Sequence, residues 1–241
     1  MPSFAIRKVE PSAVSGPELD HIGSVLTKAF TGGATSSVVA NADIDEFSAG
    51  HDPGAPVTDP SHITALWVST VRAGLLGGEV YVAETKDADK KIVGCAVWFG
   101  PGDALFDTPE QQQQALGPLT HANLQKWWGE EFLPQYYRFV DCALGAGVKH
   151  KSWHLQTLGV DPEYQRQGVA TRLVNAIVEK ARPSGTPLCL EVETELNLKI
   201  YSRMGFELMP RGKGGKDDCF DCYTGVNGKT FKMWVMERRS E

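Results

Sequence analysis

The stretch from Trp153 to Phe206 constrains this chain most, because it sets an apolar strand, a proline-bearing turn and a glycine-headed amphipathic helix in direct succession. Trp153 to Val160 reads as a strand. Asp161-Pro162-Glu163-Tyr164 then breaks it, since proline cannot donate to a strand ladder. From there Val169, Leu173, Val174, Ile177 and Val178 recur at helical spacing, so one face is buried while Arg172, Asn175 and Glu179 look outward. The helix therefore begins near Gly168. A helix start leaves its first backbone N–H groups unpaired and carries the positive end of the macrodipole, which makes this turn a place where a pyrophosphate can sit. Gly168 permits close approach, Ala170 keeps the first turn uncrowded, and Gln165 and Arg166 add side-chain donors at the rim. The same pattern is shared by ordinary strand-turn-helix junctions.

Four elements in order carry the reading further. Gln165, Gly168 and Ala170 fill an Arg/Gln-x-x-Gly-x-Gly/Ala pattern, and Val160-Asp161-Pro162 stands before it. Leu188 to Val192 forms a following strand, and Asn197 to Phe206 a second signature. In these elements the chain resembles the GCN5-related N-acetyltransferase (GNAT) superfamily. Within it the likeness is nearest to the puromycin N-acetyltransferase group, through Thr157, Gly159, Val160, Glu191, Asn197, Leu198, Tyr201, Gly205 and Phe206.

The resemblance implies a mixed α/β fold, with a central, mostly antiparallel sheet flanked by helices and splayed at the site of acetyl-CoA, the co-substrate. It implies direct transfer of an acetyl group to a primary amine, chemistry that needs no metal. Leu158, Gly159 and Val160 would lie along the cofactor's pantetheine arm, and Gln165, Arg166, Gln167, Gly168, Val169, Ala170 and Thr171 would surround its pyrophosphate. Asn197 would contact the cofactor; on its own it is an ordinary residue for a helix start. Tyr201 takes the position of a general acid, where a phenol with a reference pKa of roughly 10 stays protonated and can donate to the departing sulfur. Without the resemblance it reads as a packed aromatic beside the apolar row Leu196, Ile200 and Met204. Two candidates stand for the base. Glu191 points away from Leu190 and Val192 on its strand, and Glu193 shares that face. His154 has a reference pKa of roughly 6.5 that suits a base, and serves equally well as a buried, hydrogen-bonded histidine.

The 241 residues, 41% of them hydrophobic, can bury a full core, and with no linker-like stretch they read as one domain over residues 1–241. A formal net charge of −6 leaves no basic surplus for phosphates, which argues against nucleic acid as a partner and suits a cationic amine. The expected acceptor is a small-molecule amine such as an antibiotic, toxin or metabolite. A protein or peptide amine is the rival acceptor, and a silent acyl-CoA-binding module the rival from another class. Met1 to Lys8 lacks the pattern of a signal peptide and no apolar run reaches membrane-spanning length, so a cytoplasmic protein without a membrane partner, monomeric or homodimeric, is expected. Cys95 and Cys189 fall in strand-like runs and read as reduced thiols, and Cys219-Phe220-Asp221-Cys222 as a loop with two free thiols.

Along the rest of the chain, Phe4 to Val9 reads as a strand, and Ser15-Gly16-Pro17-Glu18 as a capping box opening a helix through Ile22, Val25, Leu26 and Phe30. Thr31 to Thr58 reads as a loop whose Asp43, Asp45, Glu46 and Asp52 either meet solvent or attract an amine. Asp59-Pro60 opens a second helix that Gly77-Gly78 ends, and Glu79 to Glu84 and Ile92 to Phe99 form a hairpin. Residues 100–148 read as a helical insertion, with Gln111 to Gln114 a polar helix face and Trp127, Trp128, Phe132, Tyr136, Tyr137 and Phe139 as core or pocket wall. Phe206 to Met209 and Phe231 to Glu237 read as a last hairpin around the loop Pro210 to Thr230, which carries Lys213, Lys216 and Lys229.

Overall fold

The computed structural model describes residues 3–31, 60–116, 127–210, 220–224 and 230–239. Asp43, Asp45, Glu46, Asp52, Asp59, Lys213, Lys216, Cys219 and Lys229 lie outside these residues, as do the side chains of Ile63 and Trp128.

The described strands are β1 (Phe4–Lys8), β2 (Glu79–Thr85), β3 (Ile92–Phe99), β4 (Trp153–Val160), β5 (Leu188–Val192), β6 (Glu207–Leu208), β7 (Phe220–Thr224) and β8 (Thr230–Arg238). They form one sheet in the order β1-β2-β3-β4-β5-β8-β6, with β7 also paired to β8. Only β4 and β5 run parallel; every other described pairing is antiparallel. The architecture is a mixed α/β fold, a large and mostly antiparallel open sheet flanked by helices.

Side-chain alternation assigns the two faces. Helices α1 (Gly16–Phe30) and α2 (Pro60–Gly77) pack on one another and on β3. The Ser15 hydroxyl caps α1 by accepting the Glu18 N–H at 3.3 Å. Ile22, Leu26, Trp67 and Val71 fill that layer together with Val97 and Phe99. On the same face, farther along the sheet, α3 (Leu133–Leu144) lays Tyr136, Phe139 and Val140 against Tyr223, Phe231 and Val235. The opposite face is covered by α4 (Val169–Ala181), whose Val169, Leu173, Val174, Ile177 and Val178 meet Ala96, Trp98, Leu155 and Leu190. Strand β3 is thus covered on both faces, and all of its residues are buried. Its unbroken apolar run follows from that position.

Two expectations need correction here. Gln111 is no part of a polar surface: it is fully buried, accepts the Phe106 N–H at 2.7 Å and donates to Asp107 at 3.1 Å. Its amide is a local template that holds Phe106 at φ 58, a backbone geometry few side chains adopt. The segment between β6 and β8 is also not all loop, because Phe220–Thr224 pairs with β8 and places Cys222 in a strand. Buried Tyr223 explains that strand, since the aromatic layer under α3 draws it onto the sheet. Where residues 100–148 are described, they include the short turn Pro109–Gln111 and π-helical segments at Gln112–Leu116 and Trp127–Phe132, ahead of α3.

Candidate active site

The site is built around the one parallel pairing. Trp153, His154 and Leu155 pair with Leu188, Cys189 and Leu190, and the ladder stops there. Strand β4 stays paired to β3 as far as Val160, while β5 stays paired to β8 through Val192, so the sheet splays between them. Across β3, Val97 faces Thr157 and Trp98 faces Leu155, which leaves Gln156 as the extra residue of a bulge at the mouth of the splay. The Asp161 N–H donates to Val93 O at 2.9 Å and sets the phase of the antiparallel ladder. Thr157 and Gly159 therefore bond to β3, while Leu158 and Val160 turn their backbone N–H and C=O groups toward the splay. Gly159 is required by packing: a Cβ there would stand 2.8 Å from Leu26 and 3.0 Å from Ala29. Its bare backbone lets α1 close over this half of β4.

The turn after β4 leads into α4. Asp161, buried, accepts the Glu163 N–H at 3.1 Å and pairs with Lys28 at 3.3 Å, fixing the turn to α1. Arg166 adopts φ 58 and Gly168 φ 81, so the chain curls through left-handed geometry before the helix. Gly168 is the N-cap and has no side chain to bond the helix start. The Arg172 N–H makes the first intrahelical bond, to Gly168 O at 3.1 Å. The N–H groups of Val169, Ala170 and Thr171 are left without helical partners. A Cβ at Gly168 would meet nothing within 4 Å, so the space before these donors is open. This is what a diphosphate ester such as the acetyl-CoA pyrophosphate requires: orphan donors, a favourable dipole and an uncapped approach. The expected rim donors behave differently from the sequence reading. Gln165 turns its amide inward to Val160 O at 3.1 Å, and Gln167 donates to Glu163 O at 3.1 Å. Both amides brace the turn, and of the polar side chains from Gln165 to Gln167 only Arg166 is left facing solvent without such a bond among the described residues.

On the α3 face, His154 and Glu191 meet. The imidazole Nε2 lies 2.7 Å from one carboxylate oxygen, and Lys149 Nζ lies 3.4 Å from the other. Lys149 also donates to the Tyr136 hydroxyl, with Nζ 4.4 Å from the ring centroid. Burial alone would raise the Glu191 carboxyl, but Lys149 and His154 outweigh it and hold it down to about 2. Burial and the nearby Lys149 charge lower His154 from its ordinary 6.5, against the opposing pull of Glu191. At neutral pH Glu191 is thus an anion that can only accept, and neutral His154 must place its proton on Nε2. Nδ1 keeps its lone pair. Lys149 was not among the residues singled out from sequence, and Tyr136 was read there only as core or pocket wall. Lys149 lies in a basic Lys-His-Lys triplet that reads as solvated, and nothing in its local pattern marks it as turned inward.

Tyr201 approaches from the other face. It lies on α5 (Glu195–Arg203), which Thr194 caps by accepting the Asn197 N–H at 3.1 Å. The packed row of this helix is Leu198, Tyr201 and Met204, whereas Leu196 is 65% exposed. Helical phase explains the change, because the row spaced by three from Leu198 is the one that faces Phe206 and α4. The Tyr201 ring stands edge-on to Phe206 at 5.7 Å, and its hydroxyl has no hydrogen-bond partner among the described residues. Burial raises its pKa above the ordinary 10, so the phenol remains a proton donor. Asn197 is half-buried at the first turn of α5.

Comparison with known proteins agrees with this geometry. Residues 135–208 match the family model described as an acetyltransferase (GNAT) domain. A curated, uncharacterised N-acetyltransferase of Schizosaccharomyces pombe is 28% identical over 118 residues, which are 48% of this chain and 47% of that protein. The match thus spans about half the length of that relative. Among solved structures, the Drosophila melanogaster polyamine N-acetyltransferase superposes with a TM-score of 0.52 at 13% identity, over 98% of this chain and 100% of that one. The mosquito arylalkylamine N-acetyltransferase-like 5b gives 0.53 at 15% identity, over 98% and 100%. At these identities the likeness is one of fold. Residues 135–208, which match the acetyltransferase (GNAT) domain model, hold the splay, the glycine turn and the helix of Tyr201.

Proposed function

We propose that the protein transfers an acetyl group directly from acetyl-CoA to the primary amine of a small, cationic molecule. The observation that carries this reading is the splay of β4 from β5 beyond Leu155 and Leu190, opening beside the uncapped start of α4. Bound acetyl-CoA supplies a thioester activated toward amines. The chain supplies the rest. The N–H groups of Val169, Ala170 and Thr171 hold the pyrophosphate, with Arg166 beside them and Gln165 and Gln167 fixing the turn. The backbone of Leu158 and Val160 orients the pantetheine arm, Gly159 allows α1 to close over this half of β4, and a strand N–H in the splay polarises the thioester carbonyl.

His154 takes the amine proton at Nδ1, while Glu191 holds the ring in the tautomer that leaves Nδ1 free. Glu191 itself is too weak a base at neutral pH, because its carboxyl is held down to about 2. Tyr201 donates its phenolic proton to the departing sulfur from the opposite face, and Asn197 contacts the cofactor at the start of the same helix. The positions in which the sequence resembles the puromycin-type group run from Thr157 to Phe206. They support an antibiotic, toxin or metabolite as acceptor, with detoxification as a role. The formal charge of −6 favours a cationic acceptor over nucleic acid. A cytoplasmic monomer or homodimer of one catalytic domain completes the reading.

A library of primary amines, screened for CoA release by thiol detection with mass spectrometry of the product, tests it. Turnover with a small amine bears the reading out. Turnover with peptide amines alone would replace the acceptor, and acetyl-CoA binding without turnover across the library would indicate a silent acyl-CoA-binding module.

A further inference from the structure

Three consecutive basic residues, Lys149, His150 and Lys151, form a 3-10 turn just before β4. His150 and Lys151 are exposed, but the Lys149 side chain keeps only 18% of its accessibility. Burying an ammonium is costly unless it is paired, so its inward turn needs compensation. Two groups provide it: the Glu191 carboxylate at 3.4 Å and the Tyr136 hydroxyl. The turn itself is held by the Ser152 hydroxyl donating to Val148 O at 2.8 Å and by the Gly102 N–H donating to His150 O at 2.8 Å.

Glu191 divides its oxygens, one to Lys149 and one to His154. We infer that Lys149 is a positioning residue for acetyl transfer: clamped between Tyr136 and Glu191, it keeps Glu191 a pure acceptor and so fixes the His154 ring with its proton on Nε2 and its lone pair on Nδ1. This rests on the proposed role of His154 as base. Without the ammonium, a carboxyl in this buried place could share its proton with the imidazole, and the tautomer would no longer be set. Lys149 and Glu191 are the charged groups that act on His154; Cys189, its partner across the ladder, is neutral, with its thiol pushed up to about 12 chiefly by burial. Glu237 on β8 acts on Cys189.

The test compares wild type with Lys149→Met, which keeps the length and removes the charge, and Lys149→Arg, which restores it. The first readout needs no substrate: ring-nitrogen NMR shifts of His154 across pH. Wild type should show one Nε2–H tautomer. Lys149→Met should show mixed tautomers and a titration moved to higher pH, since Lys149 lowers both His154 and Glu191. Lys149→Arg should return both toward wild type. In the pH profile of kcat/KM with a responsive amine, the acid limb of Lys149→Met should move the same way, with about a tenfold loss at pH 6 and under about twofold at pH 9. Should Lys149→Met fail to fold, Tyr136→Phe removes the hydroxyl that anchors the ammonium and should shift His154 less, in the same direction. An unchanged His154 tautomer and titration in the folded variants would overturn the inference. A wild type that transfers no acetyl group would instead overturn the proposed function, with the NMR result still deciding what Lys149 does.

Discussion

Leu155 and Leu190 are the last pair in the parallel ladder between β4 and β5. His154 stands just before that pair on one strand and Glu191 just after it on the other, and their side chains join at 2.7 Å. A side-chain hydrogen bond thus ties the two strands where their backbone bonding ends. Glu191 lies opposite to Leu190 and Val192, which pack toward α4 with Tyr201 at the margin of that layer. The proposed base, His154, and the proposed acid, Tyr201, therefore flank the splay from opposite faces of the sheet. An amine entering from the α3 side and a thiol leaving on the α4 side would not compete for one group.

The proposed pyrophosphate site at Gly168 predicts a sharp contrast between two substitutions. Gly168→Ala introduces strain of about 1 kcal/mol at positive φ but meets no neighbour, so acetyl-CoA affinity should fall no more than a few-fold. Gly168→Glu adds the same strain plus a carboxylate in front of the orphan N–H groups, and calorimetric binding should be lost. Equal affinities in folded Ala and Glu variants would remove the pyrophosphate from this turn.

Tyr201→Phe keeps the ring against Phe206 and deletes the proton donor. Turnover should fall roughly a hundredfold while acetyl-CoA affinity hardly changes, provided chemistry limits the rate. Pre-steady-state transfer measured beside steady-state turnover separates a chemical defect from slow product release. Wild-type rates in both would leave Tyr201 as a packing residue.

Substituting the dyad should move the pH profile in two distinct ways. His154→Ala should lower kcat/KM roughly a hundredfold near neutrality, with partial recovery at high pH as neutral amine becomes abundant. Glu191→Gln removes the group that raises His154, so the acid limb should move to lower pH over a plateau about tenfold down. That is opposite in direction to Lys149→Met. A uniform loss at all pH values in both dyad variants would assign the proton to another acceptor.

The same two groups govern acid stability. His154 is lowered from 6.5 and Glu191 from 4.5 to about 2, so each binds its proton more readily in the unfolded chain. Their contribution is complete above pH 6.5, and is lost through His154 as pH falls below that value and through Glu191 between 4.5 and about 2. Urea midpoints should decline across these windows, and Glu191→Gln should flatten the lower one. A flat midpoint between pH 7 and pH 3 would contradict the burial of this pair in solution.

Much of the fold was legible because its elements have strong local causes. The limits of β3 follow from an unbroken apolar run between a polar hairpin and Gly100, and the start of α4 from Gly168 after Pro162. Elements held mainly by distant partners were not. Strand β7 exists because Tyr223 packs under α3, and Gln111 is buried by contacts with Phe106 and Asp107 that no periodicity encodes. At the site, motif spacing singled out His154, Glu191 and Tyr201, but not that the first two are hydrogen-bonded to each other. Lys149 escaped notice because a basic triplet carries no sign of which member turns inward.

The most direct test of the account is a single turnover. Enzyme in excess over acetyl-labelled CoA is mixed with a responsive amine, quenched at successive times, and analysed for labelled product and labelled protein. Direct transfer in the splay predicts that label passes from acetyl-CoA to the amine in one phase, with no acetylated protein at any time and with the phase slowed about a hundredfold in Tyr201→Phe. Label that passes through the protein before reaching the amine, or a rate that Tyr201→Phe leaves unchanged, would contradict it.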